Sequence, residues 1–199
     1  MEWAAMAAGW ASGAIGASER HRHEGESLVD EEDPAPGSHV DLVRGAQRGD
    51  ALAMSRLLEQ LTPYVSRLCG PIALQDAADA AQEALIVIFR SLRQLEEPAA
   101  LYGWVRSVAV REALRVARRR QRTEVAELVD VPDKGDPMLG VDIHDVLNRL
   151  SPEHRAILML RDLEGLDQFD VAELLKISVP TVRTRLFRAR RRFRNEWQS

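Results

Sequence analysis

The residues of this chain best suited to chemistry are arginines, and they are grouped. Of 27 basic residues, 25 are Arg; only Lys134 and Lys176 are Lys. One cluster is Arg111, Arg115, Arg118, Arg119, Arg120 and Arg122. A second is Arg183, Arg185, Arg188, Arg190, Arg191, Arg192 and Arg194. A guanidinium is a planar fork of donors that fits a phosphate or the edge of guanine. Two clusters on separate segments therefore point to two contacts with one polyanion. A genomic coding bias would also enrich Arg, so position carries the argument more than number. Enzyme chemistry lacks its parts. There is no glycine-rich phosphate loop, no nucleophile motif and no metal-spaced His/Cys set. His21 and His23 have no further ligands flanking them. The single cysteine, Cys69, has no nearby His and reads as a buried or partly buried thiol. One cysteine also excludes an intrachain disulfide and suits a reducing cytoplasm.

The elements that must position these arginines read as helices. The apolar fraction is 45% with only 5% aromatics, mostly Leu, Ala and Val, which favours helix over sheet. The net charge of -4 conceals segregation: residues 1–39 carry 8 acids and 2 bases, 40–122 carry 9 and 13, 123–142 carry 6 and 1, and 143–199 carry 8 and 11. No apolar run approaches the roughly 20 residues of a bilayer span. Met1 to Gly16 has no basic residue to open a secretory signal. These features predict a soluble, intracellular, all-α protein of two small helical domains joined by a flexible acidic linker.

Residues 1–39 read as a disordered arm rich in Gly, Ser, Ala and acids. Residues 40–122 read as several helices. The first ends at Gly49. The second is capped by Asp50, carries Leu57, Leu61, Val65 and Leu68 on one face, and is ended or kinked by Pro63. Asp76 caps a third, with Ala81, Ala84, Leu85, Ile88, Phe89 and Leu92 inward. After a break at Pro98 a fourth buries Leu101, Trp104, Val105, Val108 and Leu114. Residues 123–142 are punctuated by Pro132, Gly135, Pro137 and Gly140 and read as the linker. Residues 143–199 form the second domain, with caps at Ser151, Asp167 and Ser178.

A short helix after Asp167, a turn at Lys176-Ile177-Ser178 and a longer helix from about Val179 to Trp197 make a helix-turn-helix pattern. In the last helix Val182, Leu186, Ala189 and Phe193 recur as an inner stripe. Thr181, Thr184, Arg185, Arg188, Arg191 and Arg192 lie away from it, with Arg183, Phe187 and Arg190 on the flank. An Arg/Thr outer face suits the major groove. A turn that needs a positive φ would be more comfortable with glycine than with Lys176.

The stretches Leu150-Ser151-Pro152-Glu153-His154-Arg155-Ala156-Ile157-Leu158-Met159-Leu160-Arg161, Val171-Ala172-Glu173-Leu174-Leu175 and Thr181-Val182-Arg183-Thr184-Arg185-Leu186-Phe187-Arg188-Ala189-Arg190 resemble region four of extracytoplasmic-function sigma factors. Asp79-Ala80-Ala81-Gln82-Glu83 and Trp104-Val105-Arg106-Ser107-Val108-Ala109 resemble region two of the same family. The resemblance covers about residues 40–195, with both regions in the family's order.

The resemblance implies a factor that binds core RNA polymerase and directs it to promoters, with no active site, cofactor or metal of its own. It implies that Asp79, Gln82 and Glu83, with Arg90 as a weaker candidate, meet the clamp coiled coil of the largest polymerase subunit. The flap of the second-largest subunit is a second contact. Region two also melts the minus-ten element. Arg106, Arg111 and Arg115 are the backbone candidates there, and Trp104 belongs with the core face. The loop Gln94 to Leu101 lacks the family's Phe-Asp-Pro stretch, which leaves the base-reading residues unassigned. Region four implies base-edge and methyl contacts from Arg183, Thr184, Phe187 and Arg188 at the minus-thirty-five element. Thr181, Arg185, Arg191 and Arg192 are its phosphate candidates. The acidic linker either mimics an anionic strand or is a plain tether. An anti-sigma protein stays open as a further partner; a membrane does not figure.

Three rival readings fit the sequence less well. A helix-turn-helix regulator of the response-regulator type needs an α/β receiver, and residues 40–122 show no strand alternation. An enzyme lacks its motifs. A protein-only adaptor leaves the arginine face without a purpose.

Overall fold

The computed structural model describes residues 38–126 and 143–198. Residues 1–37 of the arm, with His21 and His23, and residues 127–142 of the linker lie outside the described residues; Ser38 and His39, read as the end of the arm, instead cap and open the first helix. Every element described is helical.

Helix α1 (His39–Gln47) starts at Ser38, whose Oγ accepts from the Asp41 N–H at 3.3 Å. It ends before Gly49, whose φ of +97° only glycine adopts freely. Gly45 lets the next helix come close: a Cβ there would stand 2.9 Å from that of Ala53. Helix α2 (Ala51–Ala73) is capped by Asp50, which accepts from Leu52 and Ala53 N–H at 2.9 and 3.1 Å. It runs straight through Pro63, where the sequence predicts an end or kink. The exposed proline removes one backbone donor. The fully buried line Leu57, Leu61, Val65 and Leu68 nevertheless keeps both halves of the helix on one core, and each such leucine contributes ~1.5–3 kcal/mol. The chain then turns sharply at Leu74, a buried residue at φ +53°.

Helix α3 (Ala77–Ser91) begins without the expected side-chain cap. Asp76 makes no cap bond; its carboxylate pairs with Arg120 at 3.3 Å. Ala80, Ala81, Ala84 and Ile88 face inward, but Phe89, expected in the core, is 54% exposed. Gln47 fastens α1 to the end of α3 by donating to the carbonyls of Leu92 and Leu95. Pro98–Ala100 forms a short 3-10 turn capped by Glu97, and α4 (Leu101–Ala126) follows. It passes the predicted boundary at residue 122. Leu101, Val105, Val108 and Leu114 are buried as expected, and Trp104 packs half-buried against them. Val110, Val116 and Ala117 are buried too.

That wide buried sector exists because the second group of helices packs on α4 and α2. Helix α5 (Ile143–Asn148) leads to α6 (Pro152–Leu158), capped by Ser151 with Pro152 in the first turn. A π-helical turn, Met159–Leu163, widens the end of α6, and Gly165 stops it at φ +70°. Helices α7 (Gln168–Leu175) and α8 (Val179–Trp197) complete the chain. Arg155 is the one buried charged residue among the described residues, at 7% exposure. Its Nε donates to the Ile72 carbonyl at 2.9 Å. Its Nη1 donates to those of Leu147 and Leu150 at 3.2 and 2.7 Å. Ile72 lies in the last turn of α2, so the guanidinium also meets the negative end of that helix dipole.

Candidate nucleic-acid interface

The last two helices form the predicted helix-turn-helix. Asp167 caps α7 by accepting from Phe169 and Asp170 N–H at 2.7 and 2.8 Å. Lys176 takes the left-handed conformation at φ +53°, ψ +48°, so the turn does require what glycine supplies more easily. Ser178 accepts from the Thr181 N–H and shares a 2.7 Å hydroxyl contact with Thr181. Val182, Ala189 and Phe193 are buried, and Phe193 stacks on Trp197.

The opposite face of α8 carries Arg183, Thr184, Phe187, Arg188, Arg191 and Arg192 to solvent, with Thr181 and Arg185 half-buried. Phe187 is 68% exposed, a large apolar side chain presented to solvent. Arg183 donates to Gln168 at 2.7 Å, Thr184 to the Pro180 carbonyl at 3.0 Å, and Arg192 pairs with Glu196 at 3.8 Å. Arg188 and Arg191 have no ion pair among the described residues and stand ready for an anion. Arg190 differs: Asp162 holds it from the π-helical turn, and that hydrogen bond raises its pKa above the ordinary arginine value. It therefore positions the helix.

Two residues beneath this face were not singled out in the sequence. His154 is half-buried, and its Nδ1 has no hydrogen-bond partner among the described residues. Burial, then the charges of Arg192, Arg185 and Arg188, lower its pKa against the opposing pull of Glu153. Burial works to raise the pKa of Glu153, but its bond from Arg118, with the charges of Arg118 and Arg185, outweighs this and holds it low. Their spacing from the arginines in sequence carries no periodic signal.

On α4 the structure separates the three minus-ten candidates. Arg111 and Arg115 share the exposed side and Arg106 lies on the opposite one, as 3.6 residues per turn requires. Arg111 donates to the Ser107 carbonyl of its own helix at 2.8 Å. Arg115 is held by Glu112 at 2.7 Å and by Glu83 of α3. Arg106 dips between the two helical groups, donating to the Tyr64 hydroxyl at 3.0 Å and lying 3.3 Å from Glu164.

Asp79 and Gln82 are exposed on α3, with Glu83 half-buried beside them. At i+3, i+4 and i+7 spacing they share a face with Ile86, and exposed Phe89 and Arg90 extend it. Cys69 is fully buried, and burial, then Glu112, pushes its thiol up to about 12. Among the described residues no group of three or more His, Cys, Asp or Glu is disposed to hold a metal ion. No described helix is long and apolar enough to cross a membrane.

Comparison with known proteins bears on both groups of helices. Residues 54–123 match the family described as Sigma-70 region 2, and residues 140–193 match Sigma-70, region 4. The chain is 32% identical over 184 residues to an ECF RNA polymerase sigma-E factor of Haemophilus influenzae, covering 79% of this chain and 94% of that one. It is 34% identical over 173 residues to an RNA polymerase sigma-H factor of Pseudomonas aeruginosa, covering 75% and 88%. Among solved structures, a sigma factor of Bartonella quintana in complex with the anti-sigma factor NepR superposes with a TM-score of 0.56 at 21% identity, over 72% of this chain and 96% of that one. The chain belongs to the extracytoplasmic-function RNA polymerase sigma factors, which direct polymerase to promoters.

Proposed function

We propose that this chain joins cytoplasmic core RNA polymerase through α3 and reads promoter DNA through α8 and α4, with no reaction of its own. In this reading residues 40–122 are the region-two domain and 143–199 the region-four domain. Asp79, Gln82 and Glu83 meet the clamp coiled coil of the largest polymerase subunit, and the region-four domain meets the flap of the second-largest. Arg183, Thr184, Phe187 and Arg188 reach base edges and thymine methyls in the major groove of the minus-thirty-five element. Thr181, Arg185, Arg191 and Arg192 take phosphates. Arg106, Arg111 and Arg115 follow the backbone at the minus-ten element. An anti-sigma protein is a further partner, as it is for the Bartonella quintana factor.

The observation that carries this reading is the outer face of α8. Its N-terminus is capped, its inner stripe is buried, and Arg188 and Arg191 stand exposed and unpaired by any described residue. A helix in that state is built to enter a groove. The experiment is size exclusion of the purified protein with sigma-free core polymerase, followed by transcription from candidate promoters. Co-elution at one-to-one stoichiometry with promoter-dependent transcripts is expected. A folded protein that fails to co-elute with its cognate core, yet binds duplex alone, would be an ordinary helix-turn-helix regulator.

A further inference from the structure

Outside the two arginine clusters the chain has a third cationic surface. Where the end of α3 meets the junction of α1 and α2 lies a groove of about 440 Å³. Its apolar lining includes Ala46, the half-buried Met54 and Phe89, which is 54% exposed. Arg90 and Arg93 stand on its rim, both exposed, and neither has an ion pair or hydrogen bond among the described residues. The one carboxylate in the lining, Asp50, is engaged in the cap of α2, where it accepts from the Leu52 and Ala53 N–H groups. An apolar trough rimmed by two unpaired guanidiniums suits an extended segment with apolar residues beside carboxylates.

The chain supplies such a segment close by. Leu28-Val29 is followed directly by Asp30-Glu31-Glu32-Asp33, all outside the described residues. Asp33 stands five residues before Ser38, the cap of α1. Pro34 and Pro36 favour an extended connection of about 3.1 Å per residue, about 15 Å in all. Helix α1 has 9 residues and is about 14 Å long, and Ala46 lies in its last turn. A segment that doubles back beside α1 at Gly37 therefore has the length to bring Asp30–Asp33 to Arg90 and Arg93. We infer that residues 28–33 seat in this groove, with Leu28 and Val29 against Met54 and Phe89 and the four carboxylates against Arg90 and Arg93. Exposed ion pairs are weak one by one, but the tether raises the effective concentration to about millimolar and holds a weak contact. The seated segment covers Phe89 and Arg90, so core polymerase has to displace it. That consequence rests on the proposed reading of α3 as the polymerase-facing helix; the docking itself does not.

The test uses the full chain with the photoreactive p-benzoylphenylalanine in place of Phe89, an apolar and aromatic replacement at an exposed position. The protein is irradiated at low concentration and its crosslinks are mapped by mass spectrometry. The expected product is an intramolecular crosslink to residues 24–37. Asp30→Asn, Glu31→Gln, Glu32→Gln and Asp33→Asn together should cut its yield about fivefold or more, and high salt should do the same, because both remove the charge attraction. The neutralised chain with native Phe89 should compete about three- to tenfold better than wild type for core polymerase against another sigma factor. The same photoreactive residue in place of Met54 is the companion if the first replacement disturbs α3. Crosslinks that join two chains, that fall elsewhere in the chain, or that reach the arm regardless of its charge overturn the docking site. Failure of the α3 reading looks different. Gln82→Ala with Glu83→Ala would then leave competition unchanged, while the charge-dependent crosslink to residues 24–37 still forms. If that pair does weaken competition and the neutralised chain competes no better than wild type, the covering of Phe89 and Arg90 is overturned.

Discussion

At the residue scale, what distinguishes one arginine from another is its partner. Arg188 has none among the described residues, whereas Arg190 is held by Asp162 and Arg106 by Tyr64 and Glu164. Arg188→Ala is therefore expected to reduce promoter-dependent transcription about tenfold or more, the worth of one good base-edge contact, while co-elution with core polymerase stays unchanged. Equal loss of both would assign Arg188 to the polymerase. Cys69 makes a second prediction at this scale. Its thiol is pushed up to about 12 from an ordinary 9.0, so near neutral pH it should react with a thiol reagent about a thousandfold more slowly in the native protein than in denaturant. Equal rates would mean that α2 and α4 part readily around it.

At the element scale, the turn between α7 and α8 sets the angle at which the outer face is presented. Lys176 holds it in a left-handed conformation that costs a non-glycine residue about 1 kcal/mol. Lys176→Gly should relieve most of that and raise the melting temperature of the second domain by a few degrees, followed by circular dichroism. A fall would show that the Lys176 stem packs to advantage. Helix α3 carries the next prediction. Gln82→Ala with Glu83→Ala should weaken competition for core polymerase against another sigma factor and leave helicity unchanged, since Gln82 is exposed and Glu83 half-buried. The pair also frees Arg115 from its α3 partner, so strand binding by the isolated chain should rise slightly. Phe89, 54% exposed on the same helix, shows how an apolar residue at core spacing ends outside: α3 buries only its narrow alanine-rich side.

At the scale of the whole molecule, the two domains are joined through titratable groups, and the joint has an expected pH dependence. Burial, then the charge of Glu164, raises Tyr64 from 10.0 to about 12. A raised folded pKa means that stability is fully present below pH 10 and is lost as pH climbs towards 12. Glu153 is held low in the fold, so its contribution is present above the ordinary carboxylate range and is lost as pH falls through its lowered value. The distance between spin labels placed on α2 and α7 should therefore stay short across neutral pH and lengthen at both extremes. A distance that lengthens at neither would remove Tyr64 and Glu153 from the joint.

Much of this architecture was legible in local sequence. Asp50, Ser151, Asp167 and Ser178 each cap the helix they precede, because a cap bond spans only two or three residues and is written in the chain itself. The stripes Leu57–Leu68 and Val182–Phe193 were equally plain, since 3.6-residue periodicity is a local property. Motif order along the chain was enough to point to the sigma family. What tertiary structure alone decided is where each charge goes. Asp76 left its cap for Arg120, and Pro63 was carried through by the core beneath it. Arg106 found Glu164, and Arg155 crossed to Ile72. Tyr64 and Glu164 are separated by 100 residues, Arg155 and Ile72 by 83. Pairing at such separations depends on which surfaces two packed domains bring together, and local periodicity and capping hold no record of it.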